Sequence, residues 1–316
     1  MTKNKIILMV VAISATLLPS QTASANIIKS PVMLAQKSLV IIDYGINTEL
    51  DWIARSIIDE ACFVEFHRCP NGFSEMSGVG ASKITPAMTK SSAFSHGTQM
   101  ASIAVAIDPR VQIVSIRVVG MNKSGMPSPY SPTAILKALE YVEQNKTRLN
   151  VGAVSISLGK SYRETACPIN SKLQSVIANL TASGVGVVIA VGNGGNNTKV
   201  DYPACIPEAI AVGATEDRYA MKEVEGWVYP ILSMSNNGPE LDLFVNGKYT
   251  VTDISNTKKV SFGTSGSTVA FATYLNKMLT LGQTLPSVMT SVNASLVKAY
   301  RGIKDFYPKQ FDLTNS

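Results

Sequence analysis

The chain has 316 residues, of which 46% are hydrophobic and 16% charged. This is enough to bury a sizeable core, either in one large α/β domain or in two smaller ones. The formal net charge of +6 is spread along the chain without a long block of lysine and arginine, which argues against nucleic-acid binding.

The N-terminus has the pattern of a signal peptide. A start with two lysines is followed by an apolar run over residues 6–18 and by an Ala-Ser-Ala cleavage site that ends at Ala25. The apolar run is shorter than the roughly 20 residues that a membrane span needs. We therefore expect residues 1–25 to be removed and the protein to be exported, to a periplasm or to the medium.

Strand and helix patterns alternate through most of the remaining chain. Continuous β-branched apolar runs predict buried strands at 38–43, 111–119, 151–159, 185–193 and 209–215. Helical spacing predicts helices at 48–61, 96–107, 131–146 and 170–184. This alternation predicts a three-layer, doubly wound α/β fold with a mostly parallel central sheet covered on both faces.

Residues 241–262 break the alternation. They predict short antiparallel strands around turns at Asn246–Gly247 and Asn256–Thr257. The tail from Thr264 has a mostly helical pattern.

No repeat, low-complexity segment or linker divides the mature chain. We therefore expect a short N-terminal segment over residues 26–37, and then a single domain over residues 38–316 that includes the helical tail.

The four cysteines are an even number in a chain that carries an export signal. That combination favours two disulfides over a metal site. Cys62 and Cys69 close a short loop, whereas Cys167 and Cys205 flank a helix–strand unit. Four cysteines allow three connectivities, so the pairing stays open at this point. A zinc site is the alternative, but no CxxC or CxxH spacing supports it.

Candidates for acid–base chemistry are few, because the sequence contains only two histidines. His67 lies in the loop between two cysteines and is expected at the surface. His96 begins a predicted helix of small residues, which would allow another element to approach closely. Asp43 closes the first predicted strand, and the carboxyl ends of strands line the working crevice of open parallel sheets. A turn-initiating aspartate is the alternative reading of that residue.

Two further polar residues stand at the ends of predicted elements. Asn193 closes the strand over 185–193, where it is either a turn residue or an amide donor. Ser265 opens the last long helix, whose free N–H groups and dipole favour nearby negative charge. Ser261 is expected in the preceding strand and Ser267 inside the first helical turn, which leaves Ser265 as the best-placed hydroxyl.

The chain order of these residues, together with the motifs around them, resembles the subtilisin-like serine peptidases over about residues 38–302. The matching motifs are VIIDYGI, SHGTQMASI, VSISLG, VIAVGNGG, YPACIPEAIAVGAT, SNNGPELDLFVNG and FGTSGSTVA. The order Asp, His, Ser is the one found in subtilisin.

This resemblance implies a role for each candidate. Ser265 would be the nucleophile, His96 the general base and Asp43 the residue that orients it. Asn193 would bind the oxyanion together with the Ser265 N–H. An extended polypeptide substrate would pair with two segments by β-augmentation. The residues implied for that pairing are Gly125, Met126, Ser157, Leu158 and Gly159.

The sequence departs from the family pattern beside two of these residues. Tyr44 follows the aspartate where the family usually has Ser or Thr, so the region around Asp43 must be repacked. Gly266 and Val269 stand where the family commonly has Met and Pro, which predicts a flexible glycine beside the nucleophile. These changes, and the short segment before the first strand, motivate the alternative of a peptide-binding or assembly protein that has the fold but little or no turnover.

The resemblance implies no cofactor for the chemistry. The family often binds structural calcium, and the chain has acidic residues such as Asp51, Asp201 and Asp242, but no calcium loop is readable. The expected partner is a polypeptide substrate; we expect no nucleic-acid partner and no membrane span after removal of the signal, and we assume a monomer. A Cys167–Cys205 disulfide is predicted to brace the unit that leads to Asn193.

Overall fold

The structure is a computed structural model, and it describes residues 35–164, 166–216, 221–223, 226–295, 297–300 and 306–310. The predicted signal peptide and most of the predicted N-terminal segment lie outside these residues. In the described parts of the chain, no helix is long and apolar enough to cross a membrane.

Strands and helices alternate through the first two thirds of the chain. The strands are β1 (Ser38–Asp43), β2 (Ile57–Phe63), β3 (Glu75–Ser77), β4 (Gln112–Arg117), β5 (Val151–Ile156), β6 (Gly186–Ala190), β7 (Ile210–Thr215), β8 (Met221–Glu223), β9 (Gly226–Pro230), β10 (Leu243–Asn246), β11 (Lys248–Thr252), β12 (Lys258–Phe262), β13 (Val297–Tyr300) and β14 (Phe306–Gln310). The helices are α1 (Asp51–Ala54), α2 (His96–Ile107), α3 (Pro132–Asn145), α4 (Ser171–Ala182), α5 (Thr264–Thr280) and α6 (Leu285–Ser295), and short 3-10 turns cover Met88–Lys90 and Ser92–Ser95.

Twelve of the strands form one sheet in the order β3-β2-β4-β1-β5-β6-β7-β10-β14-β13-β9-β8. The run from β2 to β10 is parallel throughout. The carboxyl ends of β1, β5 and β6 therefore meet at one edge, where a crevice is expected. The β11–β12 hairpin forms a separate two-stranded sheet.

Helices cover both faces of this sheet, which confirms the predicted three-layer α/β fold. Alternate residues of β1 pack on opposite faces of the sheet. Val40 and Ile42 pack with α3 and α4, whereas Leu39 and Ile41 pack with α2, α5 and α6. A strand buried on both faces reads as a continuous apolar run, and this explains why the pattern at 38–43 was readable.

Three predictions about elements were wrong or incomplete. The helix predicted over 48–61 is only the short α1, and Ile57–Phe63 forms β2 beside β4. This segment pairs with β4, a strand that is distant in sequence, and the pairing outweighs the local helical spacing. Gly247 links β10 to a strand in another sheet and does not turn a hairpin. The tail contains β13 and β14 besides its helices.

Candidate active site

Asp43 and His96 form a hydrogen-bonded pair at the sheet edge. The side chain of Asp43 is 1% exposed at the end of β1, and that of His96 is 28% exposed at the start of α2. His96 Nδ1 lies 2.8 Å from Asp43 Oδ1 and 3.0 Å from Oδ2. An ionised carboxylate can only accept hydrogen bonds, so Nδ1 carries the proton. In the neutral ring Nε2 is then free to accept a proton.

The glycine after the histidine makes this closeness feasible. A Cβ on Gly97 would lie 2.1 Å from the Gly45 carbonyl oxygen and 3.3 Å from Asp43 Oδ1. No side chain fits there, so α2 can begin directly against the end of β1 only with glycine at this position. The expectation that small residues beside His96 allow close approach is confirmed.

The pKa of His96 reflects two opposing influences. Burial of the ring lowers its pKa, but the negative charge and the hydrogen bond of Asp43 together outweigh this and leave the pKa of His96 above its ordinary value. The ring therefore becomes protonated at a higher pH than a free imidazole does.

Tyr44 packs against this histidine. Its ring centroid lies 5.5 Å from that of His96 and 6.1 Å from that of Phe94, which is fully buried. Its backbone N–H also donates to Asp43 Oδ1 at 2.7 Å. The ring of Tyr44 thus sits between two side chains from the entry to α2. This is how the structure accommodates the bulky residue after Asp43.

Asn193 is held by the helix that carries Ser265. The N–H and hydroxyl of Thr264 donate to Asn193 Oδ1 at 3.0 and 3.1 Å. A backbone N–H can only donate, so the amide oxygen must face Thr264 and the amide nitrogen is turned away, free to act as a donor. Gly263, at φ 135°, allows the approach, because a Cβ there would lie 3.1 Å from Asn193 Oδ1.

Ser265 is the second residue of α5 and is partly exposed. Its carbonyl accepts a hydrogen bond from the Ser157 hydroxyl at 3.1 Å, which ties the helix to the segment after β5. Ser267 is fully buried and donates to backbone carbonyls, whereas Ser261 lies within β12. The expected placement of these three serines is confirmed.

Gly266 is packed and not loose, contrary to expectation. A Cβ on this residue would lie 2.8 Å from Tyr249 Cδ2 and 3.4 Å from Ile103 Cδ1. The ring of Tyr249 fills the space beside Ser265 that a larger side chain at 266 would use. Val269 is fully buried in the core of α5.

Asn236 is a site residue that sequence reasoning missed. It is 1% exposed, and its amide oxygen accepts from the N–H groups of Gly194 and Asn196 at 3.0 and 2.9 Å. Its amide nitrogen donates to the Val191 carbonyl at 2.9 Å and to Asp201 Oδ1 at 3.0 Å. One buried amide therefore holds the loop around Asn193. The only signal was its place in the SNNGPE motif, which gives no role.

The segments implied to bind substrate differ in exposure. Ser157, Leu158 and Gly159 follow β5; Ser157 is buried, Leu158 is partly exposed and Gly159 is exposed. Gly125 adopts φ 79° in a turn, and Met126 is 52% exposed. A cavity of about 730 Å³ beside the first segment is lined by residues that include three tyrosines, Tyr130, Tyr162 and Tyr202.

Two disulfides frame this region. Cys62 is bonded to Cys69 and Cys167 to Cys205. The first encloses His67, which is exposed and has φ 73°. In the described residues no group of three or more His, Cys, Asp or Glu side chains is arranged to hold a metal ion.

Comparison with known proteins gives a consistent result. A model of the subtilase family matches residues 36–286. Proteinase R from Parengyodontium album is 30% identical over 205 residues, covering 61% of this chain and 46% of that protein. An extracellular serine proteinase from a Thermus species is 29% identical over 214 residues, covering 64% and 46%. The chain thus spans about half the length of the curated relatives it matches.

The fold has solved counterparts. A structure titled S41 psychrophilic protease matches with a TM-score of 0.64 at 18% identity, covering 83% of each chain. A cold-adapted subtilisin-like serine proteinase matches with a TM-score of 0.58 at 20% identity, covering 82% of this chain and 81% of that one. At these identities the likeness concerns the fold.

Proposed function

Because this chain belongs to the subtilase family, we propose that it is an exported serine endopeptidase with a triad of Ser265, His96 and Asp43. The observation that carries the proposal is the hydrogen bond between His96 Nδ1 and Asp43, which leaves Nε2 as a proton acceptor. The helices that begin at His96 and Thr264 pack against each other in one core.

In the proposed reaction, Ser265 Oγ attacks the carbonyl carbon of the scissile peptide bond while His96 Nε2 takes the hydroxyl proton. Asp43 stabilises the imidazolium and keeps Nδ1 protonated. The tetrahedral intermediate collapses as His96 returns the proton to the leaving amine, and an acyl-enzyme remains. Water then attacks the acyl group by the same steps and releases the acid.

The oxyanion would be bound by Asn193 Nδ2 and the Ser265 N–H. The support is the orientation of the Asn193 amide, whose oxygen is occupied by Thr264. The donor nitrogen is thus preorganised at the start of α5, where the helix dipole also favours negative charge.

The substrate would be a polypeptide bound in extended form along Ser157–Gly159 and the turn at Gly125–Met126. Export is supported by the signal pattern over residues 1–25 and by the two disulfides, which persist in oxidising compartments.

A fluorophosphonate probe tests this proposal. We expect the folded wild type to be labelled on Ser265, as located by peptide mass mapping, and to cleave an unstructured peptide. The Ser265→Ala variant should show neither. If folded wild type is neither labelled nor active, the protein is the non-catalytic alternative, and Ser265→Ala should then bind peptides as well as wild type.

Tyr44 offers a prediction about the base. Replacing it with serine, the residue type common in the family, removes the ring that packs on His96 and should lower kcat about tenfold with little change in KM, since aromatic contacts of this kind contribute about 0.5–1.5 kcal/mol. Tyr44→Phe keeps the ring and should stay within about twofold of wild type. Equal losses in the two variants would show that the ring contact is not what matters.

A further inference from the structure

Asp201 lies between the two segments that the proposed function assigns to the substrate and to the oxyanion. Its N–H donates to the Val191 carbonyl at 2.8 Å, close to Asn193 in the chain. The next residue, Tyr202, exchanges backbone hydrogen bonds of 2.9 and 3.0 Å with Lys160, directly after Gly159. The segment around Asp201 therefore lies between the segments that follow β5 and β6.

The side chain of Asp201 lies against two glycines. A Cβ on Gly192 would lie 2.2 Å from Asp201 Oδ2, and a Cβ on Gly159 would lie 3.4 Å from Asp201 Cβ. A side chain at Gly192 would therefore clash with the carboxylate, and one at Gly159 would pack on the Asp201 Cβ. Asp201 itself is partly exposed.

Under the proposed function, one substrate side chain would lie close to Asp201. The attacked carbonyl would lie beside Ser265 and Asn193, while the backbone of the same residue would pair along Ser157–Gly159, which the Ser157 hydroxyl ties to the Ser265 carbonyl at 3.1 Å. Its side chain would then point toward Gly159 and Gly192, the two glycines that adjoin Asp201.

No cationic side chain in the described residues contacts the Asp201 carboxylate. Among the described residues, its one side-chain partner is the neutral amide of Asn236, at 3.0 Å, and no Lys, Arg or His forms an ion pair with it. Lys199 is engaged elsewhere: its ammonium donates to the carbonyls of Tyr162 and Glu164 and lies 4.4 Å from the Tyr162 ring centroid.

A partly buried carboxylate without a cation is unfavourable. Burial raises the pKa of Asp201, while the hydrogen bond from Asn236 and the charge of Lys199 act in the opposite direction. A cationic side chain delivered by the substrate would supply the missing partner.

We infer that Asp201 makes the enzyme prefer substrates with lysine or arginine at the residue whose carbonyl is attacked. This inference rests on the proposed function. It names a substrate class for the site and assigns selectivity to a residue outside the triad.

Peptides that differ only at that residue test the inference, with arginine, lysine, leucine or glutamine in the same flanking sequence. We expect wild type to favour arginine over leucine by roughly tenfold or more in kcat/KM, the size that a close charge pair supplies. Asp201→Asn keeps the shape and can still accept from Asn236. It should lose most of this preference, because cleavage of the arginine peptide slows while fluorophosphonate labelling of Ser265 persists.

Asp51→Asn is the matched control, because Asp51 is an exposed aspartate at the start of α1. It should leave the preference unchanged. Inhibition by benzamidine, a small cation, gives a second measurement on the wild type, and its inhibition constant should rise about tenfold or more in Asp201→Asn.

Equal or faster cleavage of the leucine peptide by wild type would overturn the inference, and so would an arginine preference that survives in Asp201→Asn. In both cases peptide cleavage and fluorophosphonate labelling persist, so the proposed function stands. Loss of labelling and of cleavage of every peptide by the folded wild type would instead contradict the proposed function.

Discussion

Replacing His96 with alanine is expected to lower kcat about 10⁶-fold. This figure is the loss that the equivalent change causes in the related enzyme subtilisin. Without the imidazole, Ser265 has no base to take its proton and the leaving amine has no acid. Asp43, 1% exposed, would also lose its main polar partner. The rate of peptide cleavage at pH 8 measures the effect, with thermal unfolding as the check on folding.

His67→Ala is the natural control for this variant. His67 is the other histidine of the chain, and it is exposed in the loop closed by Cys62 and Cys69. Its removal should leave kcat within about twofold, in the range of surface substitutions. A His96→Ala enzyme that kept a tenth of the wild-type rate would mean that another group acts as the base.

Asp43→Asn should lower kcat about 10⁴-fold, as the same change does in a trypsin-type triad. The Tyr44 N–H donates to Asp43 Oδ1 at 2.7 Å, so the oxygen of the new amide would keep this place, 2.8 Å from His96 Nδ1. The NH₂ group would replace Oδ2 and present a donor 3.0 Å from the same nitrogen. Because asparagine carries no negative charge, the imidazolium that forms when His96 takes the Ser265 proton would lose its stabilising partner.

The pH dependence of kcat/KM distinguishes the loss of the Asp43 charge from general damage to the active site. In wild type the charge of Asp43 keeps the pKa of His96 raised against the effect of burial. With asparagine the burial remains and the charge is gone, so the pKa of His96 falls. The acid limb of kcat/KM should therefore move to lower pH in Asp43→Asn. An acid limb that moved upward, or a loss below tenfold, would contradict the proposed role.

Sequence reasoning succeeded where the signal was local. The run at 38–43 reads as a buried strand because its residues alternate between two apolar layers, so Asp43 could be placed at its end. The side chains of Ser131 and Asn170 each accept a hydrogen bond from the backbone N–H three residues later, at 3.0 and 3.1 Å. These N-caps marked the starts of α3 and α4.

What escaped prediction depends on contacts between distant parts of the chain. Ile57–Phe63 is a strand because β4 lies beside it, and no local pattern reports that neighbour. Tyr249 fills the space beside Gly266, although Tyr249 lies in β11 and Gly266 in α5. The meeting of Asp201 with Gly159 and Gly192 likewise exists only in the folded chain.

Asn236 has a consequence for how this protein can change. The same buried amide holds the loop of Asn193, through Gly194 and Asn196, and the carboxylate of Asp201. A substitution that reshapes the surroundings of Asp201 would be transmitted through this one side chain to Asn193, the proposed oxyanion donor. In mutant libraries, substrate selectivity and kcat should therefore change together. Variants that change only one of these two properties should retain Asn236.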